Sequence, residues 1–146
     1  MDEKVIRIDR LSIFGMKTHA SLRYPDECCG LMFGQRTENK TVKIQECVPL
    51  NNMEDSLQSK RHFTVSPMSV WSVEKAAGKR GMEIIGIYHS HPNTGAYLSK
   101  EDEEKMIPGQ IYAVVSVGNE GCRELRMWEK TSADAGIVEH RYEWAL

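Results

Sequence analysis

Apolar and polar positions change period along this chain in a way that separates strands from helices. Val5-Ile6-Arg7-Ile8 reads as a first strand, and Asp9 stands where a helix cap belongs. The helix that follows is expected over Leu11 to Arg23, with Leu11, Phe14 and Leu22 toward the core and Pro25 ending it. Cys29 to Gly34 and Thr41 to Leu50 are separated by the polar stretch Gln35 to Lys40, which predicts a hairpin of two strands. Ser66-Pro67 pairs a capping residue with proline at the first helical position, so a second helix should run to about Lys79, before Gly81. Trp71 on that helix is assigned to the core or to helix packing. Met82-Glu83-Ile84-Ile85-Gly86-Ile87-Tyr88 is apolar and β-branched over its middle, a buried strand leading directly into His89. Pro92 to Gly95 reads as a loop, Ser99 as the cap of a short helix through Lys105, and Ile111 to Val117, Glu124 to Glu129 and Ile137 to Trp144 as further strands. Asn51 to His62 is a polar loop, of a length equally typical of functional loops and of plain surface connections.

Strands interleaved with two long helices and one short one predict an α/β fold, a mixed sheet covered by helices. With 146 residues and 40% apolar composition the chain can build one core and is short for two ordinary domains, so a single domain over residues 1–146 is expected. Nineteen Lys and Arg against 21 Asp and Glu leave a net charge of −2, which gives no reason to expect nucleic acid or an anionic membrane as partner. The basic cluster Ser59-Lys60-Arg61-His62 is short and reads as solvated loop. No apolar run approaches the ~18–20 residues that span a bilayer. The start, Met1-Asp2-Glu3-Lys4-Val5, lacks a secretory pattern, so the cytoplasm is the expected compartment. Cys28, Cys29, Cys47 and Cys122 form no Cys-x-x-Cys pair, and reduced thiols are expected; a Cys47–Cys122 disulfide stays open, because sequence fixes no distance.

The densest chemistry lies in His89-Ser90-His91-Pro92, continuing to Ser99-Lys100-Glu101-Asp102. Residues two apart on a strand face the same side, so His89 and His91 present both imidazoles together while Ser90 points away. Asp102 falls in the first turn of the short helix, where the helix dipole favours a carboxylate, and can turn back toward the histidines. Two imidazoles and one carboxylate suit Zn²⁺, and three protein ligands leave a fourth position for water, the arrangement of a catalytic zinc. Taken alone, Ser99 to Asp102 is equally a capping box with a shortened acid, and His-x-His a pair of hydrogen-bonded histidines. Together, at fixed separation behind an apolar strand, they favour the metal.

The run from His89 to Asp102 resembles the JAMM motif of the MPN-domain metallopeptidases: His-x-His, seven residues, Ser, two residues, Asp. Tyr24-Pro25-Asp26-Glu27-Cys28-Cys29-Gly30-Leu31 is similar to that family's upstream Glu-x-Cys-Gly-Leu segment, with Glu27 at the position of its catalytic acid. The resemblance implies a curved mixed sheet with one helix on each side, a cytidine-deaminase-like sandwich with its site at the sheet edge. It also implies one Zn²⁺ per chain held by His89, His91 and Asp102, Glu27 as general acid/base, and Ser99 as donor to the oxyanion. The implied reaction is hydrolysis of a peptide or isopeptide bond after the Gly-Gly tail of ubiquitin or a ubiquitin-like protein. The segment around Glu27 and the compact length resemble the stand-alone prokaryotic branch. There the implied partner is a ubiquitin-like sulfur-carrier protein, from which cysteine or a short C-terminal peptide is released.

The alternatives belong to other classes. An MPN-type scaffold without activity ranks below the enzyme, because all three ligands, Ser99 and Glu27 are present. A non-haem iron oxygenase also uses two His and one carboxylate, and the Glu27 segment argues against it. A zinc deaminase lacks support without the His-x-Glu and Pro-Cys-x-x-Cys pattern, and the charge balance gives none to a DNA-repair role.

Overall fold

The computed structural model describes residues 4–54, 59, 62–134 and 136–145. Strand β1 (Val5–Asp9) leads into helix α1 (Arg10–Arg23), then the hairpin β2 (Cys29–Arg36) and β3 (Thr41–Leu50), and helix α2 (Pro67–Lys79). Strand β4 (Glu83–Pro92), the short helix α3 (Lys100–Lys105), β5 (Ile111–Gly118), β6 (Gly121–Lys130), β7 (Ile137–His140) and β8 (Tyr142–Ala145) complete the order. One mixed sheet contains all eight strands in the order β7-β6-β5-β4-β2-β3-β1-β8. β4 runs antiparallel to β2 and parallel to β5, the latter crossover carrying α3. Among the described residues no helix is long and apolar enough to cross a membrane.

A helix covers each face of the sheet, as the sequence implied. Ile13, Met16 and Ala20 of α1 join Ile6, Ile44, Ile85, Val115 and Met127 of the strands in the larger core. Val70, Val73 and Ala77 of α2 pack on Leu31, Phe33 and Ile87 on the other face. The face that α1 buries is not the one expected: Leu11, Phe14 and Leu22 are 83%, 68% and 77% exposed. This helix carries two apolar stripes, and the one with β-branched Ile13 and flexible Met16 fits over the sheet, with small Ala20 where the helix passes close. Asp9 occupies the cap position of α1 without a side-chain cap hydrogen bond. On α2, Ser66 does cap, accepting from the Ser69 N–H at 3.4 Å, whereas Trp71 is not core: it is 55% exposed, under the Lys75 ammonium at 4.9 Å. The four cysteines are free thiols.

The segment expected as one strand from Ile137 to Trp144 is two. Arg141 alone separates β7 from β8, yet these strands lie at opposite ends of the sheet order. The sheet therefore curls until its two outermost strands adjoin, almost a barrel. A buried Glu129 joins the margins, accepting from Lys4 Nζ at 2.7 Å and pairing with His140 Nε2 at 2.8 Å. Of the polar stretch Asn51 to His62, residues 55–58, 60 and 61 lie outside the described residues, and Lys60 and Arg61 of the basic cluster with them.

Next to the histidines the sheet needs a residue without a side chain. Tyr88, 1% exposed and bonded from its hydroxyl to His19 Nδ1 at 2.8 Å, lays its phenol across Gly30, where a Cβ would clash with the ring and its hydroxyl oxygen. Gly30→Ala should lower stability by about 1–3 kcal/mol, the usual cost of forcing atoms into a packed core. A urea midpoint shifted down at unchanged slope would show it; an unshifted midpoint would mean that the ring moves freely.

Candidate active site

The site begins with the two-residue period of β4. Ile87, His89 and His91 face the α2 side of the sheet, while Tyr88 and Ser90 face α1. His89 is 2% exposed, with Phe63 stacked on it at 5.0 Å, and its Nε2 lies 3.1 Å from His91 Nε2. After β4, the chain turns at Asn93 (φ 63°), whose side chain accepts from the Tyr24 hydroxyl at 2.7 Å. The following loop is pinned to β5 and β6 by Ser116 on the Thr94 carbonyl and by Glu124 and Trp128 on the backbone of Ala96. That fixed loop delivers Ser99 to the start of α3.

The capping-box reading of Ser99 to Asp102 holds, and the same carboxylate reaches the histidines. Asp102 N–H donates to Ser99 Oγ at 3.0 Å and Ser99 N–H to Asp102 Oδ2 at 2.9 Å, a complete capping box. The same Oδ2 lies 3.2 Å from His89 Nε2 and 3.0 Å from His91 Nε2. Three donor atoms thus converge where a metal ion could be held. Their spacings of 3.0–3.2 Å fall just short of the ~3.3–3.4 Å that tetrahedral geometry with ~2.0–2.1 Å bonds requires. His91 Nδ1 sits 3.2 Å from the Gly95 carbonyl, an acceptor that would take the ring hydrogen and free Nε2 for a bound metal. These residues fit zinc.

Glu27 arrives by register. Cys29 pairs with His89 across β2 and β4, and Cys28 continues the ladder through Ser90: its carbonyl accepts the Ser90 N–H and its N–H donates to Ser90 Oγ at 2.8 Å. One residue further, Glu27 stands level with His91. Glu27, His91, Tyr97 and Ser99 line one cleft of about 540 Å³. On the other side of Glu27 a smaller cavity of about 140 Å³ reaches His89 and Asp102. All five residues singled out in the sequence meet here, at the ends of interior strands β2 and β4 rather than along an outer strand.

The two carboxylates have opposite surroundings. Burial pushes the Glu27 carboxyl up to about 8, against the pull of His91. Burial would also raise Asp102, but hydrogen bonds from His89 and His91 overcome it and hold that carboxyl well below the usual range. Burial keeps His89 low and neutral, whereas the Asp102 carboxylate outweighs burial at His91 and raises it.

Sequence reasoning passed over several neighbours: Phe63 against His89, Gly95 as acceptor for His91, the His62–Glu101 pair at 2.7 Å, and Asn52. Only Asn52 carried a local signal: an amide just past a strand end that accepts from the backbone N–H two residues on forms an Asx turn.

The model for prokaryotic homologs of the JAB domain matches residues 15–129. The chain belongs to this family. The JAB-domain chain is 30% identical over 136 residues to the CysO-cysteine peptidase of Mycobacterium tuberculosis, an alignment covering 92% of this chain and 86% of that one. It is 29% identical over 99 residues to the 26S proteasome regulatory subunit RPN11 of Encephalitozoon cuniculi, covering 68% of this chain but only 33% of the relative's length. Among solved structures, a protein from Desulfitobacterium hafniense superposes with a TM-score of 0.79 at 27% identity, over 96% of this chain and 92% of that one. Another, from Salinibacter ruber, reaches 0.73 at 23% identity over 95% and 91%, a likeness of fold. By name, the Mycobacterium tuberculosis relative is a peptidase, and another relative, from Saccharomyces cerevisiae, is a ubiquitin carboxyl-terminal hydrolase.

The raised Glu27 carboxyl carries a stability consequence in the metal-free protein. Below its ordinary value of 4.5 the group is protonated folded and unfolded; between 4.5 and about 8 the unfolded chain gives up the proton and the folded one keeps it. Stability therefore falls with rising pH across that window. Glu27→Gln should be more stable than wild type at pH 8, by an amount on the order of a few kcal/mol, with the difference vanishing near pH 4. Thermal unfolding of chelator-treated protein at the two pH values checks this; equal midpoints at pH 8 would contradict it.

Proposed function

We propose that this chain is a zinc-dependent JAMM peptidase that hydrolyses the peptide or isopeptide bond after the Gly-Gly tail of a ubiquitin-like protein. The observation that carries the reading is the convergence of His89 Nε2, His91 Nε2 and Asp102 Oδ2, with Glu27 lining both cavities beside them and Ser99 the larger one. His89, His91 and Asp102 would hold one Zn²⁺ per chain; when bound, it supplies Lewis acidity to the scissile carbonyl and makes water a better acid at neutral pH.

Glu27 takes the proton of the attacking water and returns it to the leaving amine. A carboxyl raised by burial toward the working pH suits both halves of that exchange. Ser99 Oγ already accepts the Asp102 N–H, so its own hydroxyl hydrogen is free to be donated to the oxyanion as charge develops there. The capping bond thereby orients the donor. The chain works as one domain, since β1, β7 and β8, outside the matched segment, belong to the same sheet as the site.

The substrate reading is a ubiquitin-like sulfur-carrier protein, from which cysteine or a short C-terminal peptide is released. Its support is the CysO-cysteine peptidase, which matches over most of both chains. A glycine tail also suits a cleft lined by the buried His91 and Glu27. We place the reaction in the cytoplasm, where four free thiols are at home.

Zinc analysis beside turnover of a Gly-Gly-extended sulfur-carrier protein tests the assignment. Wild type should carry about one zinc per chain, and His91→Ala and Asp102→Ala should lose both metal and activity. Glu27→Gln should keep the metal and lose at least about a hundredfold in kcat; Ser99→Ala should keep it and lose about 10²–10³. Wild-type turnover in the Glu27 variant would remove Glu27 from the mechanism, and zinc without cleavage would favour a silent MPN-type scaffold.

A further inference from the structure

Glu27 lies before the first residue of β2, so the sheet does not satisfy its backbone. Buried backbone groups must find partners elsewhere, and these come from the stretch after β3. The Glu27 N–H donates to the Ser59 carbonyl at 2.6 Å, and the Glu27 carbonyl accepts from Asn52 Nδ2 at 3.0 Å. Asn52 Nδ2 also donates to the His62 carbonyl at 2.9 Å, while its Oδ1 accepts from the Glu54 N–H at 3.0 Å and the Thr64 N–H at 3.2 Å. An amide has two donor hydrogens and two acceptor lone pairs. All four are spent here on backbone.

We propose that Asn52 is the positioning residue for Glu27, fixing the height of the acid above the histidines by binding its carbonyl to the segment that also packs against α3. The inference rests on the reading of Glu27 as general acid/base. The tie extends beyond Glu27 itself. His62, held through its carbonyl by Asn52, pairs through Nδ1 with Glu101 at 2.7 Å, and Glu101 adjoins Asp102 on α3. Phe63, the next residue, stacks on His89. One side chain therefore links the acid to both elements that carry the three converging atoms, without touching any of those atoms. It is suited to set a distance rather than to bind or react.

Asn52→Asp tests this: it keeps the size of the side chain and its acceptors, but removes both donors and sets a negative charge against two carbonyl oxygens. Three readouts on the full chain are compared with wild type: zinc content, amide hydrogen exchange at Glu27 and Thr64, and kcat and KM on the Gly-Gly-extended substrate. The variant should bind zinc as wild type does, exchange the Glu27 amide about tenfold faster, and lose about 10- to 100-fold in kcat with KM changed less than about threefold. Unchanged exchange at Glu27, whose N–H is bonded to the Ser59 carbonyl, would show that Glu27 keeps its place without Asn52, and loss of zinc along with activity would make Asn52 a support of the ligands; either result overturns the proposal. If Asn52→Asp does not fold, Asn52→Ser makes the same comparison without the charge, and failure of both to fold would also overturn it by making Asn52 a residue of the fold at large. A wild type that binds zinc but cleaves nothing would count against the proposed reaction, while the exchange result still decides the tie.

Discussion

A single oxygen organises this site. Asp102 Oδ2 meets two imidazole nitrogens and the backbone N–H that opens α3. A helix must satisfy its first N–H groups, and here the carboxylate that does so also completes the donor set. The start of α3 can therefore not drift along the chain without dismantling the cluster. The pinned loop from Asn93 to Leu98, the parallel crossover from β4 to β5 and the position of Ser99 all answer to that atom.

Two carboxylates within one small site are driven apart by their surroundings. Asp102 is surrounded by donors and stays ionised, whereas Glu27 has burial to contend with and holds its proton to about pH 8. Different environments for paired acids are how one site can contain both a permanent anion and a proton carrier. The same burial works against the fold, a cost of the kind found where a group is kept for its chemistry.

Much of this was legible in the sequence, for physical reasons that differ between residues. The period of two places His89 and His91 together on any strand, and the spacing from Ser99 to Asp102 defines a helix start whatever else it does. Glu27 came only from resemblance, because its place opposite His91 is set by strand register, a long-range property. The buried face of α1 was misjudged because Leu11-Phe14-Leu22 and Ile13-Met16-Ala20 are both apolar stripes, and only the sheet's shape chooses between them. The break at Arg141 had no local marker: Ile137 to Trp144 suits a strand throughout, and closure of the sheet alone decides where it divides. Asn52 offers a local turn signal, but its tie to Glu27 shows only when partners ten and 25 residues away are in place.

That break has a consequence for how the molecule is made. β1 leaves the ribosome long before β8, yet β8 is its outer neighbour, with Ile6 beside Tyr142 and Ile8 beside Trp144. Until residues 142–145 emerge, the outer edge of β1 has no strand to pair with, and Glu129 waits on the neighbouring β7 for one of its two partners. The hairpin of β2 and β3 and its pairing with β4 can form well before that. Synthesis thus favours an order in which the sheet around the histidines assembles before the ring is drawn shut by β8. A nascent chain arrested shortly before Arg141 would hold its converging donor atoms inside an open sheet with an unprotected edge, and that edge is the natural target for a chaperone or for a neighbouring chain.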